Sequence, residues 1–263
     1  MKVFGIAKIR NEQHIIRDTL DSWAGVCDEI YVYDDCSSDS TPTICLAHPK
    51  VKEVIHSTLF DPDRERAEWF NRQAVWSSAR RFMGPEDWVV YFDGDEHLYD
   101  FDRSALENPH TQIIACPSYD AYVTQEDARL DEWNYAKRLP WVAQEYEFCL
   151  YFYRNRPWIN FHLPDQRNMS DHATLRAWIT DPAMIQMEGK ILHWGKGLSV
   201  RKWEEKCRYY AETFGPKYAE KWKARMGKAV HEMSDFGLPL VRWPDVRAGE
   251  VETFNRKGMP LIS

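Results

Sequence analysis

Trp88-Val89-Val90-Tyr91-Phe92-Asp93-Gly94-Asp95-Glu96 is a run of five apolar, β-prone residues stopped by an Asp-Gly-Asp-Glu turn. Two earlier stretches follow the same plan. Lys2–Ile9 is apolar and ends in Arg10-Asn11-Glu12, and Glu29–Tyr33 ends in Asp34-Asp35-Cys36-Ser37-Ser38-Asp39. Helical spacing lies between them. After Asn11 come Ile15, Ile16, Leu20 and Trp23, ending near Gly25. Asp39–Ala47 reads as a short helix with Asp39 or Ser40 as N-cap. Asp63–Phe82 carries Trp69, Phe70, Ala74 and Trp76. Val51–His56 is a further strand. Continuous apolar strands separated by helices predict an α/β fold, a mostly parallel sheet covered on both faces.

Beyond about residue 110 the alternation loosens. Ile113–Val123, Phe148–Arg154 and Met184–Trp194 read as strands with fewer helices between them. Val200–Phe214 and Lys217–Val230 read as charged helices, and the tail from Leu238 is proline-rich. The second half therefore adds a mixed sheet and a C-terminal helical region to the parallel core.

Composition narrows the function. The 263 residues suffice for one large domain, and 44% hydrophobic residues exclude a disordered chain. A net charge of -7 argues against a general nucleic-acid binder. Six cysteines form no CxxC pair, so reduced, packed thiols are expected and a zinc cluster is not. Lys8, Arg10 and Glu12 come too early for a signal-peptide apolar region, and a run of about 18 apolar residues is missing. The expectation is a cytoplasmic protein.

Chemistry concentrates where strands end. In an open parallel sheet, ligands bind in the crevice at the C-terminal strand ends. Helix capping accounts for Asp39 or Ser40. It accounts poorly for Asp93 and Asp95, whose carboxylates repel unless a cation sits between them. Two hard oxygen donors suit Mg²⁺ or Mn²⁺ held together with phosphate oxygens, and Gly94 lets a ligand approach the backbone.

Ile6–Glu12, Asp28–Thr41 and Trp88–Glu96, in that order, resemble the family 2 type of nucleotide-sugar glycosyltransferase, whose members have a GT-A fold. The resemblance covers roughly residues 1–100 and extends more loosely to Ile191-Leu192-His193-Trp194. It implies a GT-A catalytic domain over 1–195, with a nucleotide-binding half (1–110) and an acceptor half (111–195), and a helical region (196–263) packed on it. By that likeness Asp35 accepts a hydrogen bond from the base, commonly uracil, with Asp34 beside it. Ala7 and Ile9 line the pocket through main-chain atoms, next to Asn11 and Glu12. Asp93 and Gly94 face ribose and diphosphate. Asp95 holds Mn²⁺ or Mg²⁺ with Asp93, and His193 is the third protein ligand. Arg66 and Arg72, with Arg64 behind, are candidates for the diphosphate, because guanidinium matches phosphate oxygens. Cys36 stands where the family's usual Gly would be.

The implied reaction is metal-dependent, inverting transfer of a sugar from a nucleoside-diphosphate sugar (UDP- or another) to a glycan or lipid-linked hydroxyl acceptor. A carboxylate would take the acceptor's proton. Asp165 is the first choice, with Glu145, Glu147 and Asp171 as alternatives. Residues 196–229 hold ten basic residues against four Glu, a local surplus of six positive charges. That surplus suits phosphate, an anionic acceptor or peripheral membrane contact, with Lys196 nearest the His193 strand. Aromatics crowd residues 117–161. Most fit a core, with Trp133 and Trp141 as candidates to stack on a sugar. Two rivals stand beside this reading: a nucleotidyltransferase of related fold, and a catalytically silent glycan- or nucleotide-binding domain. The first would need a Gly-rich basic loop where Ile9-Arg10-Asn11-Glu12 stands.

Overall fold

A computed structural model describes residues 1–161, 169 and 183–251, with the backbone alone at 65 and 145–147. The chain forms two compact units. One comprises the described residues of 1–116 and 148–190, the other those of 117–147 and 191–251.

The first unit begins β1 (Val3–Ile9), α1 (Ile16–Ala24), β2 (Glu29–Asp34), α2 (Thr41–Leu46), β3 (Val51–His56), α3 (Arg64–Arg80), β4 (Trp88–Asp93) and β5 (Glu96–Tyr99). These are the elements read from the alternation, apart from β5. Strands β1 to β4 are all parallel. β2 lies on one side of β1 and β4 on the other, with β3 outside β2. The chain thus winds outward through β2 and β3, then returns across β1 to β4. That reversal is a topological switch point, where a crevice opens at the strand ends. The antiparallel pairing comes later. Arg154, Tyr153 and Phe152 of β7 (Trp141–Arg154) pair with Trp88, Val89 and Val90. The first residues of β6 (Ile113–Tyr122) pair in parallel with β8 (Ile185–Met187).

Both sheet faces are apolar because both are covered. Phe4, Ile6, Tyr31, Tyr33, Val89 and Tyr91 pack under Val75, Trp76 and Ala79 of α3. The alternate residues face α1, where Trp23 stacks on Phe92 at 4.6 Å and 11°. Burying one such side chain contributes roughly 2 kcal/mol. α1 starts at Ile16 rather than near Asn11, because Asn11 sits in the left-handed region (φ 55°) and turns the chain.

In the second unit, Ser118, Tyr119 and Asp120 of β6 pair in parallel with Ile191, Leu192 and His193 of β9 (Lys190–Lys196). Val241–Arg242 (β10) pairs antiparallel with Val142 and Trp141. α4 (Val200–Thr213) is capped by Ser199, whose hydroxyl accepts from the Lys202 amide at 3.1 Å. α5 (Pro216–Lys223) stops well before Val230, in a turn where Gly227 takes φ 74°. α6 (Trp243–Ala248) follows. Trp203, Cys207, Trp222 and Ala229 form the core under α4 and α5. Among the described residues, no helix is long and apolar enough to cross a membrane.

Candidate functional site

Register places the expected strand ends abreast. Ile9 lies opposite Asp34, and Lys8 opposite Asp93. Neighbouring strands run about 4.8 Å apart, so the three ends form one shelf. The loops after β1 and β2 interlock above it. The Asn11 amide donates to Ser37 Oγ (2.9 Å), the Ser38 amide to Asn11 Oδ1 (2.8 Å), and the Glu12 amide to Thr41 Oγ1 (2.8 Å). Cys36 adopts φ 57°, the left-handed conformation that glycine takes without steric cost.

Asp34 and Asp35 point to opposite faces. Asp34 is fully buried on the α1 side, with His56 Nδ1 2.6 Å from its Oδ2 and the Ser37 amide donating at 3.3 Å. Asp35 turns toward α3. Its Oδ2 accepts from Arg64 Nη1 at 2.7 Å and lies 3.5 Å from Lys8 Nζ. From there a chain of contacts crosses the site. Arg64 Nη2 and Lys8 Nζ both reach Glu68 Oε1, the former at 2.7 Å. Glu68 Oε2 meets Arg72 Nη2 at 3.1 Å. Arg72 Nε donates to Tyr91 Oη at 3.1 Å, and Tyr91 Oη to Asp93 Oδ1 at 2.8 Å. Among the described residues, three cations thus balance three carboxylates between Asp35 and Asp93. Burial pushes the Glu68 carboxyl up, but Lys8, Arg72 and Arg64 hold it below its ordinary value. Burial drives the Lys8 ammonium below its usual range, against the pull of Glu68 and Asp35.

The Asp-Gly-Asp-Glu turn is braced on all sides. Glu96 folds back so that its Oε2 accepts from the Asp93 amide (3.0 Å), while Tyr151 Oη donates to its Oε1 (3.0 Å). Thr19 Oγ1 donates to the Gly94 carbonyl at 2.7 Å. A Cβ at Gly94 would come 3.0 Å from Ile9 Cγ2 and 3.1 Å from Glu12 Cγ, so a larger residue here would have to push those side chains aside for the turn to sit on the end of β1. Asp95 is 8% exposed. Burial lowers the neighbouring His97 to about 4, opposed by Asp18 and Asp95.

In the second unit, His193 faces Asp120 across the strand pair, Nδ1 to Oδ1 at 2.6 Å. A carboxylate on one ring nitrogen orients imidazole as it does in many metal sites. Lys196 Nζ lies 3.3 Å from Asp120 Oδ2, 3.1 Å from Asp235 Oδ2 and 3.0 Å from Tyr122 Oη.

Most expected residues therefore fall in the first unit's shelf: Ile9, Asn11, Glu12, Asp34, Asp35, Asp93, Gly94 and Asp95. Ala7 lies inside the ladder between Val32 and Phe92. Arg66 instead reaches out to Asp61 at 2.9 Å, with its side chain 66% exposed, and buried Arg64 takes Asp35. Lys196 sits among carboxylates within the second unit. Glu145 and Glu147 lie on β7, described by backbone alone, and Asp165 and Asp171 lie outside the described residues. Lys8, Glu68, Tyr91 and Asp120 were not anticipated. A lysine inside an apolar strand, and a Glu four residues from Arg64 and from Arg72, are the signals that would have found the first two. Among the described residues, no group of three or more His, Cys, Asp or Glu side chains is arranged to hold a metal ion. The Asp93–Asp95 pair fits a hard cation that takes most of its oxygens from phosphate and water, and does not fit a closed protein cage.

No protein-family model matches the chain. It is 31% identical over 124 residues to an uncharacterized protein of Mycobacterium tuberculosis and to one of Mycobacterium bovis, covering 44% of this chain. The chain spans 30% of the length of those curated relatives. Among solved structures it is similar to glucosyl-3-phosphoglycerate synthase from Mycobacterium tuberculosis, in complex with Mn²⁺, uridine diphosphate and glucosyl-3-phosphoglycerate. That likeness has 20% identity and a TM-score of 0.30, over 45% of this chain and 44% of the other. A 4-diphosphocytidyl-2C-methyl-D-erythritol synthase matches with 10% identity and a TM-score of 0.38, over 72% and 89%. A glycosyltransferase involved in glycosylation of the PBCV-1 major capsid matches with 11% identity and a TM-score of 0.31, over 85% and 98%.

Proposed function

We propose that this chain is a glycosyltransferase that takes its sugar from a nucleoside-diphosphate donor, UDP-linked or of another base. One observation carries the reading: Asp35 and Asp93 flank the end of β1 at the switch point and are joined by a buried, charge-balanced network. Asp35, oriented by Arg64 and Lys8, suits an acceptor for a nucleobase N–H. The loop backbone at Asn11 and Glu12 lies alongside. Asp93 and Asp95 supply oxygens for Mg²⁺ or Mn²⁺, which when bound would stabilise the leaving diphosphate as a Lewis acid. Inversion at the sugar carbon needs a carboxylate to take the acceptor's hydroxyl proton, and Asp165 remains the first candidate, ahead of Asp171, Glu145 and Glu147. The acceptor is a glycan or lipid-linked hydroxyl.

Calorimetry with UDP, GDP, ADP and CDP, each with MnCl₂ or EDTA, tests the reading. The expected result is binding of at least one nucleotide that strengthens with MnCl₂, an enhancement lost in Asp95→Asn. Absence of binding by all four, or an undiminished enhancement in that variant, would exclude it.

A further inference from the structure

We propose that Arg72 and Tyr91 are positioning residues for Asp93, so that Arg72 acts through the phenol and makes no contact with the donor's diphosphate; this rests on the donor reading above. Tyr91 lies two residues before Asp93 on β4, and both face α3. Its ring is 1% exposed and packs edge-on against Phe161 at 5.5 Å and 79°. The phenol oxygen sits between two fixed partners, Arg72 Nε at 3.1 Å and Asp93 Oδ1 at 2.8 Å. The direction of both bonds follows from chemistry. Guanidinium has no acceptor, so Tyr91 accepts from Arg72, and it donates its proton to Asp93. Arg72 thereby sets the orientation of the hydroxyl, and the hydroxyl sets the carboxylate.

Arg72 is itself held. Its Nη2 lies 3.1 Å from Glu68 Oε2, its guanidinium carbon 5.1 Å from the Tyr91 ring centroid, and its side chain is 12% exposed. Swinging it toward a phosphate would break the Glu68 pair and release the phenol together. A carboxylate fixed before the cation arrives loses less freedom on binding, which is the advantage of a preorganised site.

The test uses the whole chain, with UDP as probe, in EDTA and in saturating MnCl₂. Tyr91→Phe keeps the ring and removes only the hydroxyl. Its UDP affinity in EDTA is expected to match the wild type, while the gain brought by MnCl₂ falls about tenfold, equivalent to ~1.4 kcal/mol. Arg72→Lys keeps the charge but cannot bridge Glu68 and Tyr91 with one planar fork, so the same split is expected. An Arg72 that contacts diphosphate directly would instead weaken UDP binding equally in EDTA and in MnCl₂. That result, or a full MnCl₂ gain in Tyr91→Phe, overturns the proposal while leaving the donor reading intact. A wild type that binds no nucleoside diphosphate overturns the donor reading and this assignment with it.

Discussion

Glu68→Gln removes one negative charge at the centre of the α3 network with little change in shape. Among the described residues, Lys8, Arg64 and Arg72 then face two carboxylates, Asp35 and Asp93, an excess of one positive charge. The setting is dry: the side chains of Lys8, Asp35, Arg64, Glu68 and Arg72 are between 2% and 19% exposed. Removing one partner of a buried ion pair costs about 3–5 kcal/mol, and the partial solvation of Glu68 favours the lower end, ~3 kcal/mol. For a chain of this size that lowers the melting midpoint by roughly 6–12 °C. Urea titration at neutral pH is the assay. Lys8→Met removes one cation and is destabilising in its own right. Combining the two leaves two cations against two carboxylates, so the double variant should be more stable than the sum of the singles predicts, by about 1–3 kcal/mol. Strict additivity would refute the charge-balance argument, as would a Glu68→Gln loss within ~0.5 kcal/mol, the range of an ordinary surface change.

Cys36→Gly should stabilise the fold. A left-handed φ costs a non-glycine residue about 1–2 kcal/mol, and glycine's greater freedom when unfolded returns part of that, leaving a gain of roughly 0.5–1 kcal/mol by urea titration. A loss of stability would show that the turn depends on the thiol. His97 predicts an acid-sensitive fold. Its folded value of about 4 lies below the ordinary 6.5, so the unfolded chain binds the proton first. Stability should begin to fall as pH drops below 6.5 and continue to fall until about 4, and His97→Gln should flatten that slope in a pH series of melts. An unchanged slope would assign the acid sensitivity elsewhere.

The parallel core was legible because its strands are apolar on both faces and each ends in a polar cluster. Period alone found β1 to β4. The shelf of Asp34, Asp35, Asp93 and Asp95 followed, since parallel strands with equal spacing bring equivalent ends together. The network behind the shelf was not legible. Arg64, Arg66 and Arg72 look alike in sequence, and which of them is buried depends on the angle at which α3 crosses the sheet. Helical geometry then separates them. Arg64, Glu68 and Arg72 follow one another at four-residue spacing along the buried side, while Arg66 projects away from them to Asp61. The adjacent pair Asp34-Asp35 shows the same limit in a strand. Successive residues point to opposite faces, so the two carboxylates serve different neighbours, His56 and Arg64.

Charge in the second unit teaches a related lesson about runs of like residues. The basic stretch 196–229 suggests a positive face when counted along the chain. In space its charges meet carboxylates from outside that stretch. Lys196 sits between Asp120 and Asp235, Arg225 lies 2.8 Å from Asp235, and Arg201 pairs with Glu132. Three carboxylates from three separate loops and strands thus offset half the local surplus. Burial raises the Asp235 carboxyl, yet His231, Lys196 and Arg225 together bring it down to about 2. An anion arriving at Lys196 or Arg225 would have to displace carboxylates that are already desolvated and paired, which is a far poorer bargain than meeting a solvated lysine. Arg208, Lys217 and Lys228 of this stretch are exposed and have better access to an outside phosphate, while Lys196 serves the interior of its own unit.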